Sequence, residues 1–266
     1  MIRRLRLAPT AGALGAGRTG AVRLLAVSDE RDPALDDARN RVALGRIDAV
    51  VGCGDLEPDY LCFLADSFRA PLFYIRGNHD RGAAWAAGEN TLPGTLDDRI
   101  ESVSGVRLLG FSWPGPAEGP PRREESGAWT QALGAIWRTG FGRRAPQVVL
   151  SHVPPSGLGD VPADPFHRGF GAYRWLCRAL RPRLWLHGHT TSAAAEDWRT
   201  THGPTTLVNV TGAVLIELGA AVTAELPADS EPHTETDPTS RSPAPTPPAR
   251  ARPARAEPAG TTWRMP

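Results

Sequence analysis

The sequence predicts an α/β fold, on three observations. Short runs rich in Val, Ile and Leu alternate with longer amphipathic stretches. The first three runs, residues 22–29, 47–55 and 70–80, are separated by segments of helical character at 36–46 and 58–68. That β-α-β-α-β order calls for an α/β sheet. Finally, strand after strand ends in Asp, Asn or His: Asp29, Asp55, Asn78–His79, His152 and His187–His189.

The elements follow in order. Residues 22–29 (VRLLAVSD) form a buried strand closing in a polar turn, and 47–55 and 70–80 do the same. Pro58 suits the first turn of the second helix, where a missing N–H costs nothing. Residues 99–113 give two strands around Gly105, and 125–139 and 170–180 are helical. Strands are expected at 145–152, 182–189, 205–211 and 213–219. No internal repeat is present. The basic, small-residue start faintly suggests an export signal, but its middle is too rich in Ala, Gly, Pro and Thr. Residues 1–21 are therefore expected to be a flexible extension. Residues 227–266, dense in Pro, Ala and Arg, lack the apolar surface to offset ordering entropy, so a disordered tail is expected. The folded domain is then 22–226.

Composition narrows the function classes. Apolar residues make up 41% and charged residues 22% of the 266, which fits a soluble globular chain. Lys plus Arg number 30 against 29 acids, so no charge excess invites nucleic acid or an anionic membrane. Cys53, Cys62 and Cys177 are too few and too scattered for a disulfide framework or a CxxC metal site. No apolar run reaches the ~18 residues that span a bilayer. The cytoplasm is the expected location.

Five strands deliver Asp, Asn and His to one edge, where open α/β sheets bind ligands. In order, the matching segments are SDER at 28–31, GD at 54–55, GNHD at 77–80, SH at 151–152 and HGHTT at 187–191. In order and spacing they resemble the calcineurin-like metallophosphoesterases, whose pattern is DxH, GD, GNH followed by an acid, an isolated His, then GHxH. The resemblance implies two mixed β-sheets in a sandwich flanked by helices, a four-layer α/β/β/α fold. It also implies two metal ions at the sheet edge, bridged by Asp55. A carboxylate has two oxygens and can span cations about 3.5–4 Å apart. The family's second metal position takes Asp55, Asn78, His152 and His189, all present. A mixed N/O set suits Mn, Fe or Zn better than Ca.

The first position departs from the pattern. Asp29 and Asp55 remain, but Arg31 and Thr191 stand where the family has histidines. Three outcomes are open. One tightly held ion suffices; or oxygens of Glu30, Asp32 or Thr191 complete a weaker second site; or Arg31 grips the phosphate itself with its forked donors. The resemblance further implies cleavage of a phosphate mono- or diester by metal-activated water. His79 would protonate the leaving oxygen, and Asp80 would hold its ring in the useful tautomer. His167, in DPFHRGF, either lines a substrate cleft or caps a helix. His187 is expected to pack or support a ligand, and His202 and His233 to be solvated. The partner is then a small-molecule phosphate ester. The alternative is a catalytically weak relative that binds a phosphorylated ligand or a protein.

Overall fold

Strands buried on both faces read as unbroken apolar runs, and that is how the centre of this fold is built. The computed structural model describes residues 2–8, 20–82, 85, 92–115, 124–142, 144–190 and 197–219. The strands are β1 (Arg3–Leu7), β2 (Val22–Ser28), β3 (Ala49–Cys53), β4 (Leu72–Ile75), β5 (Ile100–Val103), β6 (Val106–Phe111), β7 (Val148–Ser151), β8 (Leu184–His187), β9 (Arg199–His202), β10 (Thr205–Asn209) and β11 (Gly212–Leu218). The helices are α1 (Ala38–Leu44), α2 (Pro58–Phe68), α3 (Glu125–Arg138) and α4 (Gly171–Leu180), with a short 3-10 turn at Pro33–Leu35. One sheet has the order β1-β11-β2-β3-β4, the other β5-β6-β7-β8-β10-β9. Both are mixed. β2, β3 and β4 are parallel, with β11 antiparallel to β2. β6, β7, β8 and β10 are parallel, with antiparallel β5 and β9 at the edges.

Alternation along each strand separates three apolar layers. Leu24, Ala26 and Val51 face Leu108, Val148, Leu150 and Leu186 between the sheets. Leu25, Val27 and Val50 face outward onto Tyr60, Leu61 and Leu64 of α2. Val149, Trp185 and Leu207 face the other way, onto Ala128 and Ala132 of α3 and Tyr173 and Leu176 of α4. The result is the expected helix, sheet, sheet, helix sandwich.

Two expectations are corrected here. The first residues are not simply a flexible extension: Arg3–Leu7 is strand β1, parallel to β11. Leu5 joins the central layer, Arg6 pairs with Glu217 at 2.8 Å, and the Arg3 guanidinium donates to the carbonyls of Asn209 and Thr211. Arg3 and Arg6 are thus tied to the sheet. The helix expected over 36–46 is shorter. Asp32 caps the 3-10 turn through the Ala34 amide, Asp37 caps α1 through the Arg39 amide, and Gly45 at φ 67° ends it. β9 was not anticipated. The expected tail, 227–266, and His233 lie outside the described residues. No described helix is long and apolar enough to cross a membrane, and the three cysteines are free.

Candidate metal centre

Because β2, β3, β4, β7 and β8 end at a common edge of the sandwich, the turns after them converge. Three of the converging residues, Asp29 (φ 60°), Asp55 (φ 57°) and His189 (φ 66°), adopt the left-handed backbone region. For residues with a Cβ that conformation costs about 1–2 kcal/mol, so each turn needs bracing. The Asp29 amide donates to the Gly54 carbonyl at 3.1 Å, and the Asp55 amide to Asp80 Oδ2 at 2.7 Å. The His189 amide lies 3.1 Å from each Asp29 carboxylate oxygen. Glycines let the turns approach: a Cβ on Gly54 would sit 2.7 Å from His152 Nδ1, and one on Gly188 would strike Ser28 and Asp29.

His152, fully buried, is the hub. Its Nδ1 lies 2.9 Å from the Cys53 carbonyl, which can only accept, so Nδ1 carries a proton. The other nitrogen, Nε2, faces Asn78 Oδ1 at 2.9 Å, Asp55 Oδ2 at 3.1 Å and His189 Nδ1 at 3.2 Å. His189 is fixed in the same manner: its Nε2 lies 2.8 Å from the Phe166 carbonyl, so the proton is there and Nδ1 offers a lone pair. Four electron-pair donors on four different turns therefore meet at one point.

Protonation relieves this only in part. Burial works to strip the proton from His152, but the Asp55 carboxylate outweighs it and lifts the imidazole to about 9. Burial and the adjacent His152 cation push His189 down to about 4. Although burial opposes it, His152 and the His79 amide hold the Asp55 carboxyl below the usual range. A single Nε2 proton can satisfy one of three acceptors, whereas a cation accepts from all four at once. The residues present therefore fit a borderline divalent ion.

Asp29 belongs to the same cluster, bringing a ligand atom within 4.8 Å of those of Asp55 and His152. It is also engaged by protein donors: besides the His189 amide, the Thr211 hydroxyl lies 3.2 Å from its Oδ2. Two of the residues expected around the first position, Asp32 and Arg31, are employed elsewhere. Asp32 caps its turn. The Arg31 guanidinium pairs with Glu57 at 3.3 Å and lies 4.9 Å over the Tyr60 ring. Arg31 is not among the described residues that line the cavity. Thr191 lies outside the described residues.

The centre opens into a cavity of about 680 Å³. Asp29, Glu30, Asp55, Asn78, His79 and His189 line its floor, with Trp113, Pro165, Phe166 and His167 among its other lining residues. His79 is exposed, and its amide donates to Asp55 Oδ1 at 2.8 Å. Asp80 does not perform the expected task. Its hydrogen bonds run to the Asp55 and Gly77 amides, both at 2.7 Å, bracing two ligand turns instead of the His79 ring. Burial raises its carboxyl to about 6, against the pull of the Gly77 amide. His167 lines the cleft, with Nδ1 held by Asp164 at 2.5 Å. His187 is buried, and burial lowers it to about 4. It packs under Gly159 of the loop that carries Phe166. His202 is less free than expected, accepting from Arg178 at 3.2 Å.

Thr211 and the Phe166 carbonyl were not anticipated. Thr211 follows β10, so the strand-end rule that picked out Asp29 and Asp55 would have found it. Nothing in sequence marks a backbone carbonyl as a partner of His189.

An α/β sandwich with His, Asn and Asp gathered at its strand ends defines a class of metal-site hydrolase folds. Residues 32–192 match the family model described as calcineurin-like phosphoesterase, and the chain belongs to that family. No curated protein matches it. One crystal structure aligns with TM-score 0.52 and 15% identity, over 74% of this chain and 95% of its own. A conserved uncharacterised protein from Streptococcus pneumoniae TIGR4, described as a predicted phosphoesterase, aligns with TM-score 0.32 and 12% identity, over 73% and 75%. At that identity the first speaks for the fold alone, and the second carries no argument.

Proposed function

We propose that the chain hydrolyses phosphate mono- or diesters with one divalent transition ion, Mn, Fe or Zn, held by Asp55, Asn78, His152 and His189. The observation that carries this is the meeting of three electron-pair donors, from Asn78, Asp55 and His189, within 3.2 Å of a fourth, His152 Nε2, more than one proton can serve. Such an ion supplies Lewis-acid polarisation of a phosphoryl oxygen and lowers the pKa of water.

The remaining work falls to the chain. Asn78 turns its carbonyl oxygen to His152, which leaves the amide nitrogen as a donor for a phosphoryl oxygen. His79, exposed in the cavity and anchored through its amide, is placed to hand a proton to the departing alcohol oxygen. Trp113, Phe166 and His167 offer an aromatic wall to the organic part of the ester. We read the first position as lacking a permanent ion, because Asp29 already accepts from the His189 amide and faces the Thr211 hydroxyl.

The test is hydrolysis of p-nitrophenyl phosphate and its bis-ester by protein stripped with chelator and reloaded with Mn or Zn, alongside elemental analysis. Activity restored near one ion per chain is expected. Folded protein that takes up neither ion defeats the proposal. Uptake without hydrolysis of any ester would instead favour a catalytically weak, phospho-ligand-binding relative.

A further inference from the structure

Outside the cavity, the outer side of the α3–α4 layer is apolar in an ordered way. α3 buries Ala128, Ala132 and Ala135 against its sheet. Its opposite side carries Trp129, Leu133 and Trp137, exposed by 37%, 57% and 76%. The half-exposed Trp175 ring of α4 lies 5.5 Å from Trp129, and the exposed Phe141 ring 6.2 Å from Trp137. None of these lines the cavity. A contiguous aromatic patch of this kind marks an interaction site, and Trp is among the residues that dominate binding at such sites.

The spacing identifies the partner. Trp129, Leu133 and Trp137 stand four residues apart, so the stripe reads the same in both directions about Leu133. Laid antiparallel on a second copy, Leu133 meets Leu133 on the twofold axis, and each Trp129 meets the other copy's Trp137. That is the self-complementarity an isologous contact requires, and ridges four residues apart interlock in the commonest helix packing. The helix dipoles agree: an antiparallel pair sets the positive end of each helix against the negative end of the other, and a parallel pair would do the reverse. Area agrees as well. Large side chains of about 150–250 Å² each, exposed by a third to three-quarters, offer roughly 600 Å² per copy. Across two copies that reaches the lower edge of the ~1,200–2,000 Å² typical of stable interfaces.

We infer that the chain forms a twofold homodimer through α3, with Leu133 on the axis and Trp129 packed against Trp137 of the second copy. Light scattering and sedimentation of the full chain in the micromolar range should give twice the 28.5 kDa chain mass. Leu133→Arg, which opposes two cations on the axis, and Trp137→Glu should each weaken the dimer at least about 30-fold. Val42→Arg, at an equally exposed apolar position on α1, should leave it unchanged. Leu133→Cys should yield a reducible covalent dimer under mild oxidation, and circular dichroism confirms that each variant folds. A monomeric chain overturns the inference, whether the stripe is bare or covered by a different protein. A dimer that survives both Leu133→Arg and Trp137→Glu overturns it equally.

Discussion

Around His152 two imidazole nitrogens, an amide oxygen and a carboxylate oxygen converge with at most one proton to share. Around Asp29, on the same sheet edge, both carboxylate oxygens face the His189 amide, and one also faces the Thr211 hydroxyl. The two places hold similar residue types and differ in what already satisfies them. A cation position shows itself by electron pairs that the protein leaves without hydrogens. By that criterion the His152 side is the one proposed to hold an ion, and the Asp29 side is partly a brace.

Variants can break or sharpen that contrast. The largest effect is expected from His152→Ala, which removes the hub. Loss of residues that merely support ligands costs about 10–100-fold, so metal affinity and hydrolysis should fall by at least about 100-fold. Elemental analysis and steady-state rates on protein of native circular dichroism check this. Retained metal would place the ion elsewhere.

Next comes acidity. In the metal-free protein His152 is raised to about 9, so an ion arriving at pH 7 must displace its proton. Apparent affinity should rise about tenfold per pH unit up to roughly pH 9 and then level off. Calorimetry in buffers of different ionisation heat should count about one proton released at pH 7. The same shift makes the stabilising His152–Asp55 pair of the metal-free chain fully present below about pH 6.5 and lost as pH rises through about 9. Proton release of zero would mean that His152 is neutral before the ion binds.

Asp29→Asn should act more mildly. The substitution keeps an acceptor for the His189 amide, so hydrolysis should drop by about tenfold or less, with metal content still near one. A metal count that halves from two to one would show that Asp29 holds an ion of its own. The subtlest test is repair. Arg31→His with Thr191→His should raise stoichiometry towards two, and neither alone should suffice, because residues completing one site act non-additively. A fall in rate would assign Arg31 a phosphate contact despite its pairing with Glu57. An unchanged count would mean that these positions do not correspond to the family's histidines.

Much of this was legible in sequence because the central strands are buried on both faces and their ends carry the chemistry. Apolar runs such as LLAV and AVV could belong nowhere else, and GNHD and HGH mark the turns that follow. Less legible was whatever depended on a side chain choosing between partners. Arg31 finds Glu57, twenty-six positions on and on the surface, at 3.3 Å. Asp80 turns from its neighbour His79 to two amides that need an acceptor. β1 alternates with period two at Leu5 and Leu7, but the sequence reads there as a flexible extension because the partners of Arg3 and Arg6, the Asn209 and Thr211 carbonyls and Glu217, lie about two hundred positions away.

The order β1-β11-β2 has a consequence for how the chain is made. The first two described strands are neighbours in sequence, yet the last described strand lies between them, and Arg3 pairs with Val214. At a synthesis rate of ~5–20 residues per second, the start of the chain waits about 10–40 s on the ribosome before its partner exists. Until then β2 carries a bare edge. A message cut short before β11 would release a product that keeps all four proposed metal ligands but cannot close its first sheet. A copy left unfinished before β11 therefore presents an open strand edge for chaperones and proteases to recognise.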